Sequence, residues 1–364
     1  MVLGIVLATV AILQIRTSQR SRQGTGHPLD SEKIDIVYLW CDGNDPAFRE
    51  RRRLRGMKVE VNEDSNLLQV DNDELKYSLR SLEKFAPWIN HIFIVTDRQV
   101  PSWLDSDNKK ITIVDHSQIL EEGAIPTFSS PAIESRIHNI DGLSEYFLYA
   151  NDDMFFGAPV GPRFFFDGKG NPIVRGIRIR PASRGYLMKF LEISKDSMYQ
   201  QTILYSLLLV LDKFGKVLAF YPHHNIDAYR KSYVKDTFSL FREEYDKLID
   251  YPFRERNTLQ RVVLHSVDYV KGRASLREEG GGPGGRFLTT ILPSLVLTRE
   301  SLFMDNRFFS SGKTRLSRGM RYLLKNSMWP LFCLNDRKGA TEEDRRLARE
   351  FLEEMFPGKS SFEK

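Results

Sequence analysis

Four short apolar runs punctuate the first 150 residues, and each ends in acidic or amide side chains: Ile34–Trp40 (IDIVYLW) before Asp42-Gly43-Asn44-Asp45, Ile92–Thr96 (IFIVT) before Asp97-Arg98, Ile111–Val114 (ITIV) before Asp115-His116, and Tyr146–Ala150 (YFLYA) before Asn151-Asp152-Asp153. Runs of this length, rich in β-branched and aromatic residues, read as buried strands. Helical spacing separates them. Leu75, Leu79 and Leu82 recur on one face, leaving Lys76, Arg80 and Glu83 on another, and Ser130-Pro131 opens a second helix whose stripe Ile133, Ile137 and Ile140 runs to Gly142. Strands alternating with helices predict an α/β fold built on a mainly parallel sheet. In such a sheet the carboxyl ends of the strands border the ligand crevice, so the four acidic clusters are expected to converge. Converging carboxylates suit a divalent cation held against phosphates, because Mg²⁺ takes hard oxygen ligands.

The second half reads differently. Residues 185–278 are expected to be mostly helical, with ILYSLLLVL at 203–211 as a buried helix too short to span a membrane. Gly280–Gly285 (GGGPGG) is a linker or a mobile lid and lacks the lysine spacing of a phosphate-binding loop. Near the end, Thr341 and Asp344 form a capping box for a helix whose apolar face is Leu347, Ala348, Phe351, Leu352 and Met355, stopped by Pro357-Gly358.

Charge and cysteine content narrow the function. With 53 basic against 48 acidic residues, the net +5 is too small to argue for nucleic acid. Cys41 and Cys333 belong to no metal-ligand spacing or disulfide framework, which points to a reducing compartment. Residues 1–15 are apolar and precede Arg16, Arg20 and Arg22. Three readings stay open for them: a membrane-associating segment that keeps the body on the cytoplasmic side, a leader or mis-assigned start, and a cleaved signal. Residues 16–32 read as a linker, and 33–364 as one catalytic domain with an α/β half (33–167), a mostly helical region (168–290) and a C-terminal part (291–364) that completes the site.

Four segments carry the chemistry. Asp42-Gly43-Asn44-Asp45-Pro46 is a tight turn whose side chains can meet a base, ribose or metal. Glu74 and Arg80 share a helix, from which Arg80 can make a bidentate phosphate contact. Glu134-Ser135-Arg136-Ile137-His138 leads into the strand ending at Asn151-Asp152-Asp153, and His223-His224-Asn225-Ile226-Asp227 precedes Arg230 and Arg254.

Read together, these segments resemble the four blocks of the Stealth family, the sugar-phosphate transferases of bacterial capsule synthesis, to which the catalytic part of the animal N-acetylglucosamine-1-phosphotransferase is similar. The matching text is IDIVYLWCDGNDPAF; DNDELKYSLRSLEKFAPWINHIFIVTDRQVPSWLD through PTFSSPAIESRIHNIDGLSEYFLYANDDMFF; YPHHNIDAYRKS; and LNDRKGATEEDRRLAREFLEEMFPGKSSFE. The resemblance implies a Rossmann-like, glycosyltransferase-A-like sheet with a helical insertion and a C-terminal helix. It implies a cytoplasmic enzyme that moves a sugar 1-phosphate, such as N-acetylhexosamine 1-phosphate, from a UDP-sugar to a glycan hydroxyl and releases UMP. By the same resemblance, Mg²⁺ or Mn²⁺ is held by Asp152, Asp153 and Asp336 with support from Asn335. Arg80, Arg136 and Arg254 clamp phosphate, His224 is the general base, and Asp42 and Asn44 hold the nucleoside, with Gly43, Asp45, Glu74, His138 and Arg230 also lining the substrate. Cys41 stands where the family more often has an aliphatic residue and is expected to be neutral for chemistry. The segment between the third and fourth blocks leaves acceptor binding unassigned. A metal-dependent glycosyltransferase releasing UDP would carry the same strand-end carboxylates, and a non-catalytic nucleotide-sugar-binding scaffold would have no need of a base beside a metal.

Overall fold

The structure, a computed structural model, describes residues 28–56, 70–194, 197–278, 295–297, 301–305, 329–335 and 340–364. The leader at 1–15, the Gly280–Gly285 segment and Asp336 lie outside the described residues.

The apolar runs become strands β1 (Ile34–Leu39), β2 (Ile92–Thr96), β3 (Ile111–Asp115) and β4 (Tyr146–Asn151). They form a sheet ordered β3-β2-β1-β4, all parallel, to which β8 (Asp227–Arg230) adds an antiparallel edge. This is the α/β architecture expected from the alternation of strands and helices. Both faces of β1 and β2 are buried, as a parallel core sheet requires: Ile36, Tyr38, Ile92 and Ile94 pack into one cluster, and Val37, Phe93 and Val95 into another.

On the first face lie the helix Glu74–Phe85 and the C-terminal helix Glu342–Met355. The capping box at Thr341 forms as predicted, with Asp344 N donating to Thr341 Oγ1 at 3.2 Å and Thr341 N to Asp344 Oδ2 at 2.7 Å. Ala348, Phe351, Leu352 and Met355 are buried. The helix opened by Ser130-Pro131 ends at Glu134 and gives way to a 3₁₀ turn at Ile137–Asn139, so it is shorter than the apolar stripe implied. Ile133, Ile137 and Ile140 are nonetheless buried together.

Two smaller sheets extend this frame. Met154–Phe156 (β5) pairs antiparallel with Leu331–Asn335 (β12), which continues to β11 (Ser301–Asp305) and β10 (Leu295–Leu297). A third sheet places β6 (Ile173–Arg178) between β7 (Phe220–Pro222) and β9 (Ser275–Glu278). The region expected to be mostly helical thus also contributes β7, β8 and β9. The predicted apolar helix is present as Met198–Phe214. Short strands without clean alternation leave little trace in sequence, because pairing partners far along the chain decide them.

Candidate active site

Register explains how segments far apart in sequence meet. Asn151-Asp152-Asp153 turns the chain out of the central sheet at the end of β4 and into β5. In that second sheet Cys333 lies opposite Met154, and Leu334 N donates to Asp153 O at 2.9 Å, which sets Cys333 and Asn335 beside Asp153. On the other flank Asp227 pairs with Tyr149, so the His223–Ile226 loop arrives at the same strand end.

The first loop is tied down. Asp42 Oδ1 accepts from Asn44 N at 2.7 Å, and Asp45 Oδ1 accepts from Ala47 N at 2.9 Å. Gln99 grips it from the next strand end, donating to Asp42 O and Asp45 Oδ2 while accepting from Asp42 N. Arg49 donates to Gly43 O and Asn44 Oδ1. The Asn44 and Asp45 side chains therefore already serve the loop's own shape.

Behind the loop lies a set of carboxylates in mutual electrostatic contact. Burial, then Asp153, Glu74 and Asp71, hold the Asp152 carboxyl well above the ordinary carboxylate range. Burial pushes Glu74 up to about 8, Asp71 adding to the shift, although its carboxylate accepts from Asn72 N at 2.6 Å and Asn72 Nδ2 at 2.8 Å. Asp71 is pushed up to about 6 by burial, Asp73 and Asp42. Asp153 is 8% exposed; its Oδ2 accepts from Cys333 Sγ at 3.3 Å and Asn335 Nδ2 at 3.1 Å, and its Oδ1 is buried with no hydrogen-bond partner. Like charges this close cannot all ionise without a countercharge, and an orphaned buried carboxylate oxygen is costly. The donor set therefore fits a cation.

Beside the carboxylates stands a basic group of side chains. His224, half buried and edge-on to Tyr199 at 6.3 Å, has its basicity lowered by burial against the attraction of Asp153, with Arg261 and Arg254 lowering it further. Arg254 donates to Ser130 Oγ at 2.9 Å. Arg261 faces Glu134 at 3.4 Å and Asp227 at 3.7 Å, with its guanidinium 4.3 Å from the centre of the Tyr149 ring. Its Nη1 is buried with no hydrogen-bond partner. Burial by itself would raise the Asp227 pKa; His265, His223 and Arg261 outweigh it and hold the group well below the ordinary range. Asp227 is thus a fixed negative charge that orients His223 at 3.4 Å and His265 at 3.5 Å.

Residues 32–60 match Stealth protein conserved region 1, and residues 69–174 match conserved region 2. The chain carries two conserved regions of the Stealth family. An exopolysaccharide phosphotransferase of Streptomyces coelicolor is 32% identical over 91% of this chain and 52% of its own length. CpsY of Mycobacterium tuberculosis, also named an exopolysaccharide phosphotransferase, is 32% identical over 91% of this chain and 58% of its own. One from Nocardia farcinica is 35% identical over 75% and 54%. The chain spans about half the length of the curated relatives it matches. Among solved structures, the galactosyltransferase LgtC overlays with a TM-score of 0.42 at 11% identity, covering 90% of this chain and 96% of that one, a likeness too loose to carry function.

Four residues expected at the site are held by other partners. Arg80 is a structural pin: its Nε and Nη2 clasp Glu363 at 2.7 and 2.8 Å, and its Nη1 donates to Glu353 and to Phe356 O. That clasp fastens the C-terminal tail across the helix, and it leaves the guanidinium committed rather than aimed at phosphate. Arg136, 2% exposed, is equally committed, to Glu121, Ser135 and Asp246, with its guanidinium 4.4 Å from the Phe238 ring. His138 is buried against the same ring at 4.9 Å, and burial with Arg136 lowers its pKa to about 4. Arg230 pairs with Tyr146, three residues before Tyr149 on β4, which puts it about 10 Å away at the opposite end of the strand. There it donates to Glu145 at 3.0 Å and to Tyr233.

Several neighbours in this cluster have no sequence signal of their own. Arg261 precedes the helix Val262–Val270 and belongs to no motif, and only its contacts with Glu134 and the Tyr149 ring reveal it. Asp71 sits inside the DNDE run, in which the helical pattern singles out Glu74. Cys333 belongs to no ligand spacing, and spacing cannot detect a partner 180 residues away.

Proposed function

We propose that this chain transfers a sugar 1-phosphate from a UDP-sugar to a glycan hydroxyl. The acceptor oxygen attacks the phosphorus next to the sugar, the bond from that phosphorus to the bridging oxygen breaks, and UMP leaves carrying it. The observation that carries the reading is opposite charge brought together at one strand end: donor atoms of Asp153 and His224 lie within 4.8 Å of one another, with buried carboxylates of raised pKa around the one and the charges of Arg254 and Arg261 acting on the other. Phosphoryl transfer depends on such positioning and charge neutralisation.

Each side chain then has a task. His224, kept neutral by burial, accepts the proton of the attacking hydroxyl. Arg254 and Arg261 bind the transferring phosphoryl oxygens, the buried Nη1 of Arg261 being a donor in want of an acceptor. Asp42, on its braced loop, holds the nucleoside, and Asp45 and Asn44 keep that loop in shape. Asp152 and Asp153, with Asn335 and Asp336, would hold Mg²⁺ or Mn²⁺, which when bound supplies positive charge to the diphosphate. Residues 33–364 act as one catalytic domain. Among the described residues no helix is long and apolar enough to cross a membrane.

The nucleotide product tests this. Incubated with UDP-N-acetylglucosamine, Mg²⁺ and a glycan acceptor, the protein should release UMP. Release of UDP as the sole nucleotide would replace the reading with transfer of the sugar alone.

A further inference from the structure

The carboxylate cluster is hard in character, but one corner of it is not. Donor atoms of Asp153, His224 and Cys333 all lie within 4.8 Å of one another, offering one oxygen, one nitrogen and one sulfur. Tetrahedral Zn²⁺ holds such donors at about 2.0–2.3 Å, which sets them roughly 3.5 Å apart, so the three need close by only about 1 Å. A carboxylate–imidazole–thiolate set suits Zn²⁺ or Co²⁺ and is foreign to Mg²⁺, which prefers oxygen throughout.

Two further observations point the same way. The buried Asp153 Oδ1 has no hydrogen-bond partner, and the Cys333 thiol is already aimed at this carboxylate, donating to Oδ2 at 3.3 Å. A cation between them takes the place of the thiol proton. Cys333 is wholly buried, whereas His224 is only half buried and gives a route in from the crevice.

We propose that Asp153, His224 and Cys333 form a site for a thiophilic divalent cation, Zn²⁺ by preference, whose occupancy silences the enzyme. Binding replaces the S–H bond by an S–metal bond and releases one proton to solvent. The imidazole and the carboxylate enter without oxidation or reduction. The cation engages the imidazole lone pair that accepts the acceptor proton and competes for the Asp153 carboxylate. The silencing half rests on the role of His224 proposed above; the binding half does not.

Co²⁺ is the probe. Added alone to the full chain, it should give a near-ultraviolet sulfur-to-cobalt charge-transfer band that Zn²⁺ abolishes and excess Mg²⁺ does not. Cys333→Ser should lose the band, and Cys41→Ser should keep it. No band in the wild-type protein, or a band that survives Cys333→Ser, overturns the site whatever the enzyme's product proves to be. In the Mg²⁺-supported assay, with each variant compared to its own rate, Cys333→Ser should raise the half-inhibitory Zn²⁺ concentration by at least about 10-fold, the lower end of what losing even an outer-shell partner costs a metal site. An unchanged value with a Cys333-dependent band present would overturn the silencing half alone. The wild-type titration decides the binding half even should the Ser variant fold poorly.

Discussion

Asp35 and Asp153 are both buried aspartates, one at the amino end of the central sheet and one just past its carboxyl end, and they are treated in opposite ways. At the amino end of β1, Asp35 is 1% exposed, and its two oxygens accept from Asn90 Nδ2 at 2.7 Å and Ser144 N at 2.8 Å. At the carboxyl end of β4, Asp153 leaves one oxygen with no partner and sits among carboxylates whose pKa values are raised. A buried charge that is fully hydrogen-bonded fastens two strands and a loop. One that is left wanting marks a place where a ligand is to arrive. The arginines divide in the same way: Arg80 is spent on Glu363, Glu353 and Phe356, whereas Arg261 keeps a buried Nη1 without an acceptor.

Mutation can break this comparison. The largest effect is expected from His224→Ala, which should cut kcat for UMP release about 10²–10⁴-fold, the range for a lost general base, with donor affinity little changed. A loss confined to donor binding would make His224 a binding residue. Asp153→Asn should lower kcat about 10²–10³-fold, comparable to removing a transition-state charge contact, while the thermal midpoint stays level or rises because charge is removed from a crowded cluster. Asp35→Asn should do the reverse, costing about 1–3 kcal/mol in urea unfolding and leaving turnover per folded molecule intact. If Asp153→Asn instead unfolds the chain and Asp35→Asn stops turnover, the contrast is wrong.

Arg80→Met leaves Glu363 buried without its partner and should cost about 3–5 kcal/mol of stability. Loss of turnover in a fully folded Arg80→Met protein would return Arg80 to the phosphate site. A pH series sharpens the picture. Glu74 is raised from its ordinary 4.5 to about 8, so between these values the folded chain holds a proton that the unfolded chain has lost. Its contribution is therefore present below about 4.5 and is lost as pH rises through about 8. Metal-free protein should melt earlier as pH climbs through that window, and Mg²⁺ or Mn²⁺ at the upper end should restore the midpoint. The smallest effect belongs to Arg230→Ala, which breaks a half-exposed pair at the far edge and should change stability by about 1 kcal/mol or less, with UMP release unaltered.

How much of this was legible in advance depends on range. Strands β1 to β4 and the C-terminal helix announce themselves through local periodicity and caps, because their hydrophobic faces and turn residues are neighbours in sequence. The acidic strand ends were equally visible, and parallel pairing alone brings them to one edge. Arg80 shows where local reading stops. Its position off the leucine stripe predicted an exposed, available guanidinium, but the tail carrying Glu363, 283 residues later, folds over it. Arg230 was misplaced for a related reason: its strand is short, and only the antiparallel register shows that it faces away from Asp227's end.

The sequence by itself determined the α/β alternation, the placement of four acidic strand ends on one sheet edge and the match to two conserved regions of the Stealth family, since each of these is written in local pattern or in contiguous words. Tertiary structure decided which charges are satisfied and which are left wanting. Whether a buried carboxylate or guanidinium is a fastening or a site turns on hydrogen-bond partners and register set by residues distant in the chain, and no local pattern encodes them.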